Sequence, residues 1–189
     1  AQDLFKTYRK LIHSRDKVQE EMTKTEKEIA YLELILQQLE VAKETDLVEI
    51  REELQEQGYL KRQTKSKKQR RSQVPEPEMY TSSEGITIYV GKNNKQNEYI
   101  TTRLARRTDI WLHTKDIPGS HVVIRHDDPG EVTLKEAAQL AAYFSKARHS
   151  SSVPVDYTQI RHVRKPQGAK PGFVIYDHQK TIYVTPDET

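Results

Sequence analysis

The chain has 189 residues, 31% charged and 34% hydrophobic, which is lean for one packed globule and sufficient for one domain with an appendage. It contains no cysteine, so a disulfide framework and a thiolate metal site are both excluded, and no apolar run reaches the length of a membrane-spanning helix. The net charge of +3 is unevenly spread: residues 1–60 carry 9 basic against 14 acidic side chains, residues 61–71 carry seven basic and no acidic ones, and residues 72–189 carry 15 against 14.

The opening A-Q-D-L-F-K lacks an initiator Met and begins inside a helical pattern, as expected for part of a longer chain. No signal-peptide core precedes it, and with the absence of cysteine this leads to the expectation of a cytoplasmic protein that does not enter a membrane. Leu4, Leu11, Val18, Thr25, Leu32 and Leu39 recur every seven residues, and Tyr8, Arg15, Met22, Ile29 and Leu36 fall four residues after successive members of that set. This is the a/d spacing of a coiled coil, sustained over about five heptads without Pro or Gly. A helix of that length is a rod roughly 60 Å long. Its apolar seam needs a second helix, and no other helical stretch of the chain matches it in length. The expected partner is an upstream helix of the same protein or a second copy, giving a homodimer.

A second helix is predicted to begin at Thr45 or Asp46, with Glu49 placed for a capping box, Gly58 as its stop, and Leu47, Ile50 and Leu54 on one apolar face. Residues 1–60 thus read as a coiled-coil helix and a short helical cap. Residues 61–79 read as a basic linker ending in Pro75 and Pro77. Its cations, Lys61, Arg62, Lys65, Lys67, Lys68, Arg70 and Arg71, form either a solvated tether or an arm for phosphate backbones, because such a cluster can neutralise several phosphates and release their counterions.

Residues 80–189 read as a mixed α/β domain with one sheet and one main helix, so the fold class of the whole is α+β. Strands are predicted at Ile86 to Val90, Ile110 to His113, His121 to Ile124, Gln159 to Val163, Phe173 to Tyr176 and Thr181 to Val184. The helix is predicted over Val132 to Arg148, with Thr133 as cap and small Ala residues for close packing on a sheet.

The segment D-I-W-L-H-T-K-D-I-P-G-S-H, Asp109 to His121, carries the only Trp, two His and a Pro-Gly turn. Two short strands joined at Pro118-Gly119 would hold Trp111, His113, Lys115 and His121 together, with Lys115 and His121 on the surface. Asp109 with His113, and Ser120 with His121, are expected to brace the loop by hydrogen bonds. Trp111 is expected in the core. Its alternative role is to stack on an unpaired base. Candidate nucleic-acid contacts are Arg103, Arg106, Arg107, His113, Lys115, His121, Arg161, Arg164, Lys165 and Lys170, since Arg and Lys bind phosphates and His can stack on bases. Asp109, Asp116 and the two histidines could ligate a metal, or His113 could act as base to Ser120. No metalloprotease spacing or P-loop accompanies them, so neither a metal, a cofactor nor an enzymatic activity is expected.

These segments, with G-K-N-N-K-Q-N (Gly91 to Asn97), A-A-Y-F-S-K-A-R (Ala141 to Arg148) and R-H-V-R-K-P-Q-G-A-K-P-G-F-V-I-Y (Arg161 to Tyr176), resemble the RNA-binding domain of the NFACT family. The N-terminal residues resemble that family's second coiled-coil helix and middle segment. The resemblance implies a ribosome-associated quality-control factor that binds the large ribosomal subunit and its rRNA. Such a factor recruits tRNA so that the stalled nascent chain gains a C-terminal alanine tail, the ribosome itself making the bonds. The resemblance also implies that the tRNA-reading residues, in the family's N-terminal domain, lie outside this sequence. Some members are also described as fibronectin-binding adhesins, so fibronectin at a cell surface is the competing partner.

Overall fold

The computed structural model describes residues 2–61 and 74–187. The chain forms two compact units, Ala1–Leu36 and Gln37–Thr189. Helix α1 runs over Gln2–Val41. In the first unit its heptad positions Leu4, Tyr8, Leu11, Val18, Met22, Ile29, Leu32 and Leu36 are all exposed, Leu4 at 77% and the least open, Leu32, at 37%. The exposed apolar side chains thus follow the heptad seam read from the sequence.

In the second unit α2 spans Glu44–Glu56. It starts slightly earlier than the sequence suggests, and Asp46, not Glu49, caps it by accepting the Lys43 backbone N–H at 2.9 Å. Gly58, at φ +85, ends it as expected. A six-stranded antiparallel sheet follows, made of β1 (Glu78–Thr81), β2 (Thr87–Val90), β3 (Ile110–Thr114), β4 (Val122–Ile124), β5 (Val153–Gln159) and β8 (Lys180–Val184), in the order β1-β2-β4-β3-β5-β8. The short strands β6 (Val163–Arg164) and β7 (Ile175–Tyr176) pair as a separate ribbon. The predicted strand from Gln159 is displaced: pairing runs over Val153–Gln159, and Ile160–His162 is a tight helical turn. Pro154, Asp156 and Thr158 hide this strand in the sequence, yet they sit in it because β5 pairs on both sides with β3 and β8.

Helix α4, Glu131–Tyr143, lies on one face of the sheet. Ile110, Leu112, Val122, Ile124, Ile88 and Val90 meet its Ala137, Ala138, Ala141 and Ala142 there, and the Ala side chains let helix and sheet approach closely. It is shorter than predicted at the C-terminal end. After Phe144 the chain pairs with the Pro-Gly-Ser loop, through Ser120 N–H to Phe144 C=O at 3.1 Å and Lys146 N–H to Pro118 C=O at 2.9 Å. Gly119 is required at this crossing, because a Cβ would lie 2.7 Å from Thr114 Oγ1 and 2.9 Å from Ser145 Cβ. Thr133 is not the cap of α4. Gly130 holds that position, and the Thr133 hydroxyl bonds Ser82 Oγ at 2.9 Å and also Glu84.

The opposite face of the sheet is covered too. Ile100, Trp111, Val123 and Ile160 form a second core with Tyr89, Leu104, Val174 and Tyr176 around it. Alternation along β3 sends Ile110 and Leu112 to one core and Trp111 to the other. With both faces covered, β3 and β4 read as almost continuous apolar runs.

The segment Gly91 to Asn97 forms a loop and helix α3, Asn94–Tyr99, that packs on α2 through polar groups. Lys92 Nζ lies 3.0 Å from Asp46 and 2.8 Å from Glu78, with only 4% of its side chain exposed. Asn94 bonds Glu53 at 2.9 Å and accepts from Gln38 at 2.8 Å, while Gln96 bonds Asp46 and Glu49, each at 2.8 Å. Burial raises the carboxyls of Asp46 and Glu78. Their hydrogen bonds, those to Lys92 among them, outweigh it and hold both below their ordinary values. Replacing Lys92 by Ala leaves Asp46 buried, charged and without its cation. The variant is expected to lose about 3 kcal/mol or more in a urea melt, whereas Lys43→Ala, at an exposed pair, should lose under about 1 kcal/mol.

Candidate nucleic-acid interface

On the second face of the sheet, Trp111, His113, His121 and Tyr176 form one aromatic cluster. The Trp111 and His113 rings, two residues apart on β3, are stacked with centroids 5.8 Å apart. His121 meets Trp111 edge-on at 5.2 Å and His113 edge-on at 5.5 Å, and Tyr176 lies 4.8 Å from Trp111. Trp111 is fully buried, so the core reading holds and its ring is not available to a base. Its Nε1 is buried without an acceptor.

His121 is not on the surface as expected but 3% exposed. Its backbone N–H donates to Asn97 Oδ1 at 3.0 Å and its Nδ1 shares a hydrogen bond with the Thr101 hydroxyl at 2.8 Å. Thr101 lies in the π-helical turn Ile100–Leu104 that follows α3, so this element closes the pocket over the ring. The expected pairs Asp109 with His113 and Ser120 with His121 are not the ones formed. Asp109 instead accepts the Arg106 N–H at 2.8 Å and Arg125 at 3.3 Å, and Arg125 also bonds the Leu104 carbonyl at 2.9 Å.

Beside the cluster, Asp156 faces His113 across the β3–β5 register. It accepts from Tyr176 Oη at 3.0 Å and Thr181 Oγ1 at 2.6 Å. Burial, then the Asp156 charge, pushes the Tyr176 phenol up, so it stays protonated. Burial pushes His113 below the ordinary imidazole value; burial and then the nearby His113 push His121 well below it. Both rings are therefore neutral near pH 7. They serve as packed hydrogen-bonding groups, while the Ser120 backbone N–H donates to the Phe144 carbonyl at the end of α4.

The basic residues divide into three groups. Arg103, Arg106, Arg107, Lys115 and Arg161 are exposed. Arg107 and Arg161 are tied at the backbone, Arg161 N–H to Arg107 C=O at 3.0 Å, and the adjacent bond from Ile160 N–H to Asp109 C=O is 2.9 Å. The structure thus brings Arg106, Arg107 and Arg161 to one rim beside the closed cluster. Arg164, Lys165 and Lys170 are engaged within the fold: Arg164 with Asp177 at 3.2 Å, Lys165 with Glu98 at 2.6 Å, and Lys170 with the Tyr59 hydroxyl at 2.9 Å. Of the basic run only Lys61 is among the described residues, where it is exposed. Arg62, Lys65, Lys67, Lys68, Arg70 and Arg71 lie outside them. Sequence reasoning missed Thr101, Arg125, Asp156 and Tyr176 as supports of the site. The one signal that could have found Arg125 is its place directly after an apolar strand, facing the acidic end of another.

Two tests separate frame from contact surface. Trp111→Ala should cost about 3–5 kcal/mol and loosen the whole second unit, read as a large drop in melting temperature. Acid should weaken the unit through His113 and His121. Below about pH 6.5 the unfolded chain takes up protons on His113 and His121 that the folded pocket refuses, so stability is full above neutrality and falls toward pH 5. Urea melts at pH 7.5 and 5.5 should show this slope, and His121→Gln should reduce it.

Two family models match most of the chain. Residues 1–73 match the NFACT N-terminal and middle domains, and residues 77–177 match the NFACT protein RNA binding domain. A Bacillus subtilis protein named Rqc2 homolog RqcH is 58% identical over 188 residues, covering 99% of this chain and 33% of that protein. A Streptococcus suis protein of the same name is 47% identical over 190 residues, covering all of this chain and 34% of its own length. The chain thus spans about a third of these relatives. Among solved structures, the C-terminal part of the fibronectin/fibrinogen-binding protein from Streptococcus suis superposes with a TM-score of 0.91 at 46% identity, covering 99% of this chain and 75% of that one. On these matches and on the fold they share, the chain belongs to the NFACT family.

Proposed function

We propose that this chain is the RNA-contacting portion of a ribosome-associated quality-control factor, which binds stalled large ribosomal subunits and helps recruit tRNA for C-terminal alanine tailing. The observation that carries the reading is the exposed rim of Arg106, Arg107 and Arg161 within a segment matching an RNA-binding domain. Guanidinium groups in the turns that flank β3 and β5 suit phosphate oxygens, and a locally basic rim on a nearly neutral domain directs the nucleic acid to one place. The seven cations of residues 61–71 add a second source of phosphate contacts, and the exposed seam of α1 takes up a partner helix, from upstream in the same protein or from a second copy. In this role the chain binds and positions, the peptide bonds are made by the ribosome, and the work is done in the cytoplasm.

A second reading has one specific support: the Streptococcus suis neighbour bears the name of a fibronectin/fibrinogen-binding protein. The two are separated by titrating this chain against purified large subunits and tRNA over a salt series, with immobilised fibronectin in parallel. The expected result is saturable binding to subunits or tRNA that weakens steeply with salt, and none to fibronectin. Replacing Arg106, Arg107 and Arg161 together by Gln should weaken RNA binding at least about tenfold and lower the log–log salt slope by about three, with an unchanged melting temperature. Binding to fibronectin alone would make the adhesin reading primary.

A further inference from the structure

At the turn between β7 and β8, three side chains bring ligand atoms together. His162, Asp177 and His178 each offer one ligand atom, and these atoms all lie within 4.8 Å of one another, the one such His and carboxylate group among the described residues. Asp177 Oδ1 is the shared centre, 3.4 Å from His162 Nδ1 and 3.7 Å from His178 Nε2. Those separations are long for hydrogen bonds, whose N–H···O distances cluster near 2.9 Å. They suit two ligands on one tetrahedral ion: with metal–ligand bonds of about 2.0–2.1 Å, neighbouring donors stand about 3.4 Å apart.

The carboxylate is already oriented for this. Asp177 Oδ2 is held by Arg164 at 3.2 Å, which leaves Oδ1 turned to the histidines. Its backbone is fixed on both sides, by Asp177 N–H to the His162 carbonyl at 3.3 Å and by Thr158 Oγ1 to the Asp177 carbonyl at 3.0 Å. His178 stands in the left-handed region at φ 55, a conformation that non-glycine residues rarely adopt. The two imidazoles lie 4.6 Å apart by centroid.

We propose that His162, Asp177 and His178 form a binding site for a divalent transition ion of the zinc type. Two imidazoles and one carboxylate select such an ion over magnesium or calcium, which take oxygen ligands. With the side chains of Asp177 and His178 48% and 72% exposed, the fourth position faces solvent and takes water or an anion. Arg161 Nε lies 3.3 Å from His162 Nε2 and must swing away so that this nitrogen can carry the proton while Nδ1 binds the ion. Arg161 is exposed and can do so at small cost. The bound ion ties the Ile160–His162 turn, just before β6, to the β7–β8 turn, and so closes the base of the intervening loop, whose Gly172 lies against Asn94.

The test is calorimetric titration of the 189-residue chain with Zn2+, and titration with Co2+ followed by its visible absorption. The expected result is one equivalent bound and a tetrahedral Co2+ spectrum, with affinity at least tenfold lower in both His178→Gly and His162→Gln. Glycine suits the backbone at 178, so that variant should fold with an unchanged melting temperature without ion, and it tests the site even if His162→Gln does not fold. Affinity unchanged within twofold in His178→Gly, an octahedral Co2+ spectrum, or no saturable binding would each overturn the proposal.

Discussion

Burial of Trp111 in the second core, on the sheet face away from α4, is the constraint on which the second unit depends. A six-stranded sheet with one helix on one face would leave its other face in water. Here that face carries the indole, and a fully buried Trp requires a cover. The cover comes from distant segments: the π-helical turn with Ile100 and Leu104 on one side, and Ile160, Val163, Val174 and Tyr176 on the other. Both segments carry exposed arginines on their outer surfaces, and the Arg161 to Arg107 backbone bond joins them. Closing the core is therefore the same event as assembling the basic rim. Both imidazoles of the cluster are held uncharged and the Tyr176 phenol protonated, so in the proposed role the charge offered to RNA lies outside the aromatic cluster.

A second constraint lies in the polar contacts of α2 and α3. Buried charges such as Lys92 with Asp46 contribute little net stability compared with apolar packing, but each is expensive to leave alone. A network of this kind fixes one arrangement of α2 on the sheet edge, since any slip strands a charge.

Much of this was legible in the sequence where a simple period governs. The seven-residue repeat of Leu4 through Leu39 announces α1, the small-residue face announces α4, and the apolar runs flanking Pro118-Gly119 announce β3 and β4. What was not legible depends on pairing across long separations. β5 is disguised by Pro154, Asp156 and Thr158, which are stable in a strand only because β3 and β8 flank it. β1 is four residues wide and carries no alternation strong enough to see. The site was half visible. Trp111, His113 and His121 do come together, but the sequence could not say that His121 points inward, because the cover over it comes from Thr101 and Gly172. Nor could it say that Arg164, Lys165 and Lys170 are spoken for, since their partners Asp177, Glu98 and Tyr59 lie 13, 67 and 111 residues away.

The single tryptophan makes the central claim, an arginine rim around a closed aromatic frame, open to one direct measurement: fluorescently labelled tRNA titrated with the chain, with its anisotropy and the Trp111 emission followed together. The account predicts a saturating anisotropy while the indole emission stays blue-shifted and unquenched, because the RNA meets the rim and never reaches the ring. Quenching of Trp111 that tracks binding would mean that a base enters the cluster, and an anisotropy that never rises would mean that this surface does not bind RNA.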